Sequence, residues 1–328
     1  MPPLEPSKRG SLLTGVSTLA LMGSMSVAYA ADPVPTWQIW IEGASFQTNG
    51  GAVFGPSAWP GFLGTVVNPG MASRSGGEFA LGFDYHLTYS PWHFVFDARG
   101  GSSRAATQNA SSSSSFHTSS FFFSTLVQNN NSSTVKERES HAVVDFMVGR
   151  DYGLGRSQAQ FQFGLRIADL NALTQAQLTT AQTRTVSSFY SGTTVTHSSQ
   201  TAIGTFKSRF FGAGPRVAFT DSVPLRGQLS FEFAGGLAGL IGNRTLDATI
   251  VQSPGSVFYA GYGGGTVILN VDAWAGFSYA FTPTFTMLAG IRTDYYNNAL
   301  LTFNPATGGQ QTVDRNFWGP FVRLIGHF

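Results

Sequence analysis

The chain has 328 residues, of which only 11% are Asp, Glu, Lys or Arg, and it combines 39 Gly and 29 Phe with no Cys and a net charge of +2. Soluble domains carry about 25% charged residues, so an ordinary water-facing surface is excluded. The lack of Cys excludes a disulfide framework, a thiolate metal site and a cysteine nucleophile, and the charge balance gives nucleic acid no foothold.

At the amino-terminus, Lys8 and Arg9 precede an apolar stretch from Leu12 to Val27, which ends in Ala28-Tyr29-Ala30. This is the pattern of a secretory signal with a small-x-small cleavage site. Thr14, Ser17, Ser24 and Ser26 interrupt the stretch, which is short for a membrane helix of about 20 apolar residues. Residues 1-30 are therefore expected to be a cleaved signal peptide and 31-328 a single domain. No later stretch is long and apolar enough for a membrane helix, so a membrane location has to come from strands.

Ten segments predict strands: 36-46, 77-89, 92-104, 138-151, 157-170, 205-220, 225-243, 264-281, 284-301 and 314-328. Short turns at 89-91, 152-156, 221-224 and 282-283 alternate with long connections at 47-76, 105-137, 171-204, 244-263 and 302-313. Short turns on one side and long loops on the other are the pattern of a bacterial outer-membrane barrel, with the turns and both termini in the periplasm. The fold class is therefore read as all-β, a closed antiparallel transmembrane β-barrel of about ten strands. The count becomes twelve if one of the polar stretches 105-134 or 171-204 crosses the membrane; pairing of these stretches as hairpins that extend the wall is the other outcome.

Within the strands, apolar and polar residues alternate with a period of two, which sends one set to lipid and the other to the lumen. Phe79, Leu81, Phe83 and Tyr85 face one way and Glu78, Gly82, Asp84 and His86 the other; Ala142, Val144, Phe146 and Val148 oppose Glu139, His141 and Asp145. Counting back from the terminal Phe328 puts Leu324, Val322 and Trp318 on lipid and Arg323 inside. Trp40 and Trp274 fall on the lumen side by parity; either a bulge turns them back to the lipid side or they line a constriction. Trp37, Tyr85, Tyr89, Trp92, Phe219, Tyr279, Phe281 and Phe285 gather beside the periplasmic ends as an aromatic girdle.

The candidate pore-lining residues are Glu78, Asp97, Arg99, Asp145, Arg166, Arg216, Glu232, Asp272, Arg292, Asp294, Arg315 and Arg323, with Glu42, Asp84 and Glu139 on the same parity. Arginine's planar fork can hold carboxylates on neighbouring strands in bidentate pairs. Such a set reads either as a charged constriction that screens solutes or as a structural network filling a narrow lumen. Catalysis needs His and acidic groups converging at the outer rim. His86 and His93 flank a turn at the opposite end, and His141 and Asp145 lie about 13 Å apart along one strand. No catalytic residue is expected. Tyr262 to Thr266 (YGGGT) lacks the Lys and helix of a phosphate loop, so neither a cofactor nor a metal is expected.

Glu139 to Gly155 (ESHAVVDFMVGRDYGLG), Phe161 to Asp169 (FQFGLRIAD), Phe211 to Arg216 (FGAGPR), Val271 to Tyr279 (VDAWAGFSY), Gly290 to Asn297 (GIRTDYYN) and Asp314 to Leu324 (DRNFWGPFVRL) carry a resemblance. They resemble the pore-forming outer-membrane protein family typified by the Legionella major outer membrane protein. The resemblance is weak before residue 138 and supplies neither substrate nor catalytic residues. It implies a Gram-negative outer-membrane pore with Phe328 read by the barrel assembly machinery; the function is read as passive diffusion of small hydrophilic solutes, with outer-membrane lipid and lipopolysaccharide as surroundings. The runner-up is a surface adhesion or structural barrel acting through its outer loops. A homo-oligomer is compatible with either, although no interface stripe is visible.

Overall fold

The computed structural model describes residues 37-50, 74-104, 106-154, 157-253, 255-304 and 309-328. The expected signal peptide, and most of the connection at 47-76, lie outside these residues. No helix among the described residues is long and apolar enough to cross a membrane.

Eleven antiparallel strands form one ring-like sheet. They are β1 (Trp37–Asn49), β2 (Arg74–His86), β3 (Trp92–Ser103), β4 (Ala106–Ser119), β5 (Phe123–Leu154), β6 (Ser157–Ser188), β7 (Gly192–Arg226), β8 (Leu229–Ser253), β9 (Ser256–Thr282), β10 (Phe285–Asn304) and β11 (Gly309–His327). Apart from β3 and β4, each pairs with its neighbours in sequence, and β1 pairs with β11 in an unbroken register from Gln38↔His327 to Asn49↔Asn316. β3 and β4 pair in succession along β5, from Trp92↔Arg150 to Ser102↔Ser140 and then from Ala106↔Glu137 to Ser119↔Ser124. The two strands share one place, so the ring has ten strand positions.

The ten expected strands are all present, but three of the expected long loops are not loops. Residues 105-137, 171-204 and 244-263 mostly continue the strands, giving β5 and β6 32 residues each and β7 35. Neither polar stretch adds a further position to the ring, and the count of twelve is not reached among the described residues. A tilted membrane strand needs about 9 to 11 residues, so most of the length of β5 to β7 extends the wall at the end opposite the short turns.

The two ends of the ring bury different chemistry. Near the short turns the outward side chains are apolar and exposed, including Ile39, Ile41, Phe79, Leu81, Phe146, Phe163, Leu237, Phe277 and Val322, while charged side chains point inward and are buried. Beyond about Asp169 and Arg209 the sense reverses. There Leu170, Leu178, Phe206, Phe210, Leu240, Leu246 and Ile250 point inward and form an apolar core with Phe46, Tyr296, Leu300 and Phe317. Their outward neighbours are Gln175, Gln177, Lys207, Arg209, Asn243 and Asp247.

The expected girdle is present. Trp37, Tyr89, Trp92, Phe219, Tyr279, Phe281 and Phe285 are exposed near the short turns, and Trp37 lies 4.5 Å from the ring of Tyr85. The chain ends meet at the same end, where Trp37 N donates to Phe328 O at 3.0 Å and Phe328 N donates to Trp37 O at 2.9 Å.

Candidate functional site: the charged interior

The inward parity of ten strand positions brings eleven of the twelve candidate residues into contact with partners across the ring. At the centre, Arg166 on β6 donates from Nε and Nη2 to the two oxygens of Asp145 on β5, at 2.7 and 2.6 Å, and from Nη1 to Asp272 on β9 at 2.7 Å. Arg216 on β7 spans the same two carboxylates, at 2.5 Å to Asp145 and 2.8 Å to Asp272. Arg99 on β3 reaches across to Asp294 on β10, and the Tyr296 hydroxyl donates to Asp294 at 3.2 Å.

A second group lies beside it. Arg292 on β10 donates to Glu42 on β1 at 2.5 Å and also to Glu78 on β2. Arg323 on β11 takes the other oxygen of Glu42 at 2.9 Å. Glu78 is also bound to His141. Arg323 packs against the faces of Trp40 and Trp274, with its guanidinium carbon 5.3 and 5.6 Å from the ring centres, and Trp40 Nε1 donates to Asp97 at 3.2 Å. Both tryptophans therefore point inward with no register break beside them. The bulge is excluded, and they box the arginine at the constriction. Gly82, opposite Trp40 in the register, leaves room for it: a Cβ there would overlap the indole.

A third group lies towards the apolar core. Arg315 donates to Glu139 at 2.9 Å, and Arg74 lies 2.9 Å from Glu139 and 3.2 Å from Glu137. Arg315 thus belongs with Glu139 rather than with its sequence neighbours Arg292 and Arg323. Arg74 and Glu137 were missed by the sequence reading because both fell in stretches taken as loops. Following the parity of Glu139 and His141 back through Glu137 and Val135 would have found the second. Glu232 shares the inward parity, is half-buried, and is the one candidate outside the paired charges.

The arginines at this level are shielded from solvent: Arg74, Arg166 and Arg315 are at most 1% exposed. Isolated buried ions are prohibitively costly, and their mutual pairing offsets that cost only when the geometry is good. Here Arg166, Arg216 and Arg292 each engage two carboxylates, Arg99 and Arg323 one each, and Arg166 also lies 3.9 Å from a third, Asp294. Asp145 and Asp272 are shared by Arg166 and Arg216, and Glu42 by Arg292 and Arg323.

The family described as Legionella pneumophila major outer membrane protein precursor matches residues 75–327. The chain belongs to this family. Its charged interior and apolar outer belt are therefore those of an outer-membrane β-barrel protein, and the match reaches well before residue 138, where the resemblance seen in sequence was weak. No curated protein matches the chain. Among solved structures, the outer membrane protease OmpT from Escherichia coli is similar at 10% identity, over 89% of this chain and 96% of that one, with a TM-score of 0.46. Neisserial surface protein A is similar at 10% identity over 89% and 97%, with a TM-score of 0.29. The toluene transporter TbuX of Ralstonia pickettii is similar at 9% identity over 90% of each, with a TM-score of 0.24.

Proposed function

We propose that the protein is a ten-stranded transmembrane barrel of the outer membrane that works as a gated pore for small hydrophilic solutes, shut in its resting state by the arginine-carboxylate network. Its short turns and both termini lie on the periplasmic side, and the extended wall faces outward. Outward-facing Lys136, Arg138, Lys207 and Arg209 sit just beyond the apolar belt, where the phosphates of lipopolysaccharide would meet them. Asp169 holds Arg209 at 2.7 Å on that rim.

The observation that carries the pore reading is the number of charges buried across the barrel. Replacing buried ion pairs by apolar residues is often neutral or stabilising, so stability alone gives no reason to keep five arginines and six carboxylates in the central groups. A path for polar solutes does. In the resting state the path is blocked twice, by the paired charges and by the apolar core beyond them, where Phe206 and Phe210 are fully buried. Passage requires both layers to rearrange, so wild-type protein in planar bilayers is expected to show small, intermittent conductance steps. Phe206→Ala combined with Phe210→Ala should lengthen the open periods. Silence from both proteins, when heat-modifiable gel mobility shows them folded, would overturn the pore.

The second reading, a surface or structural barrel, is favoured by one observation. Phe121, Phe122, Phe189 and Tyr190 form an exposed aromatic cluster at the far tips of the hairpins, with Phe122 and Tyr190 stacked at 6.1 Å. Two folded but non-conducting proteins in the bilayer experiment would favour it.

A further inference from the structure

The pore reading leaves one cluster of ionisable groups unused, at the short-turn end of the interior. Asp84 and His86 lie on β2, His93 on β3 directly opposite His86 in the register, and Asp151 on β5. Asp84, His86 and His93 are buried, and one ligand atom from each lies within 4.8 Å of the others. His93 Nδ1 is 2.8 and 2.9 Å from the two oxygens of Asp84. His86 Nε2 is 3.3 Å from Asp84 Oδ2 but has no hydrogen-bond partner although buried. Its other nitrogen, Nδ1, is 3.3 Å from Asp151.

We propose that these side chains form a binding site for one divalent first-row transition-metal ion, with His86 Nε2, His93 Nδ1 and the Asp84 carboxylate as ligands. Zn–N and Zn–O bonds of about 2.0 to 2.1 Å at tetrahedral angles separate ligand atoms by about 3.4 Å. The Asp84–His93 and Asp84–His86 separations of 2.8 and 3.3 Å lie just below that value, and no two of the three ligand atoms are more than 4.8 Å apart. Imidazole with carboxylate suits zinc, copper, nickel or iron over calcium or magnesium. Asp151 takes the orienting place, because a metal-bound histidine characteristically presents its other ring nitrogen to a carboxylate. Its side chain is 36% exposed and gives the ion a route from solvent, with the fourth coordination position left to water.

The local backbone is shaped for this arrangement. The two imidazoles stack with centres 4.8 Å apart and planes 14° from parallel. Gly149 on β5 sits where a Cβ would overlap the His93 ring. A bound ion would tie three neighbouring strand positions together at the inner mouth. The site stands whether or not the lumen conducts.

The test uses the full chain, folded in detergent, with Zn2+ as the probe and binding measured by calorimetry and by metal content after dialysis. One Zn2+ per chain is expected. His86→Gln or His93→Gln should each weaken binding by at least about 100-fold, more than the roughly 10- to 100-fold loss when only an orienting partner is removed. Asp151→Asn should fall within that smaller range. Three of the four remaining histidines, those outside the charged interior, are controls: His117→Gln, His197→Gln and His327→Gln together should leave one tight Zn2+. Heat-modifiable gel mobility establishes that each variant is folded. Wild-type protein that retains no Zn2+, or histidine variants that bind as the wild type does, would overturn the site and leave a proton-linked histidine-aspartate cluster in its place. Because Asp151 is partly exposed, its variant keeps the question open to measurement even if a buried histidine variant misfolds.

Discussion

Arg166→Met should destabilise the folded barrel by about 3 to 5 kcal/mol, the range for breaking a buried ion pair from one side. Methionine matches much of the volume of arginine, so the loss is electrostatic rather than a cavity. Asp145 and Asp272 would each keep only Arg216, at 2.5 and 2.8 Å, and the bidentate grip on Asp145 would be gone. Denaturant titration followed by heat-modifiable gel mobility measures the change. A hydrated, open lumen predicts something different, because solvent-exposed ion pairs contribute about 0 to 1 kcal/mol. A loss below about 1 kcal/mol would mean that water fills the central barrel.

Phe146→Arg tests the other face of the same strand. Phe146 follows Asp145 directly, points outward, and is 49% exposed among the apolar side chains of the belt. An arginine facing lipid near the bilayer centre costs about 2 to 4 kcal/mol, falling to about 0 to 1 near the interfaces. The full cost is expected, because Phe146 lies on β5 between the girdle end and the polar rim at Arg138. Asp145→Asn, one residue away, should be destabilising through its arginine partners instead. Phe146→Arg should show its loss in lipid bilayers of increasing thickness, whereas the Asp145 variant should be insensitive to thickness. Equal sensitivity of both would break the assignment of faces.

Much of the lower barrel was legible in the sequence. The parity counted from Phe328 placed Arg323 inside, and the same rule put Trp40 and Trp274 on the lumen side with a bulge as the other outcome, because a period of two is strict when one face meets lipid and the other a polar interior. What parity could not give was partnership. Arg315 sits close to Arg292 and Arg323 by topology, yet the stagger of the ring sets it against Glu139, which is 176 residues away in sequence. Pairing across a barrel interior depends on how all the intervening strands are offset, and no local pattern encodes that sum.

The upper wall was misread for a physical reason. The reading sought apolar residues outside and polar ones inside, but beyond Asp169 and Arg209 the pattern inverts. Leu170, Leu178, Phe206 and Phe210 are inside, with Asn171, Gln177, Lys207 and Arg209 outside. This is the sense of a soluble β-protein, and between a polar exterior and runs such as Ser111 to Ser115 it looked like loop. The histidine pair was hidden similarly. His86 and His93 flank the Leu87-to-Trp92 segment symmetrically, so hairpin register alone would have brought them together, but their place at the inner end set them aside as irrelevant to rim catalysis.

The reversal potential of single pores across a salt gradient, for wild type and for Arg292→Ala combined with Arg323→Ala, tests most directly whether the charged network controls passage. These arginines hold Glu42 and Glu78 at the constriction. Removing two fixed positive charges leaves the path more negative, so the variant is expected to shift towards cation preference and to change its unit conductance. A variant that conducts with the wild-type reversal potential would contradict the account, since the solute path would then bypass these residues.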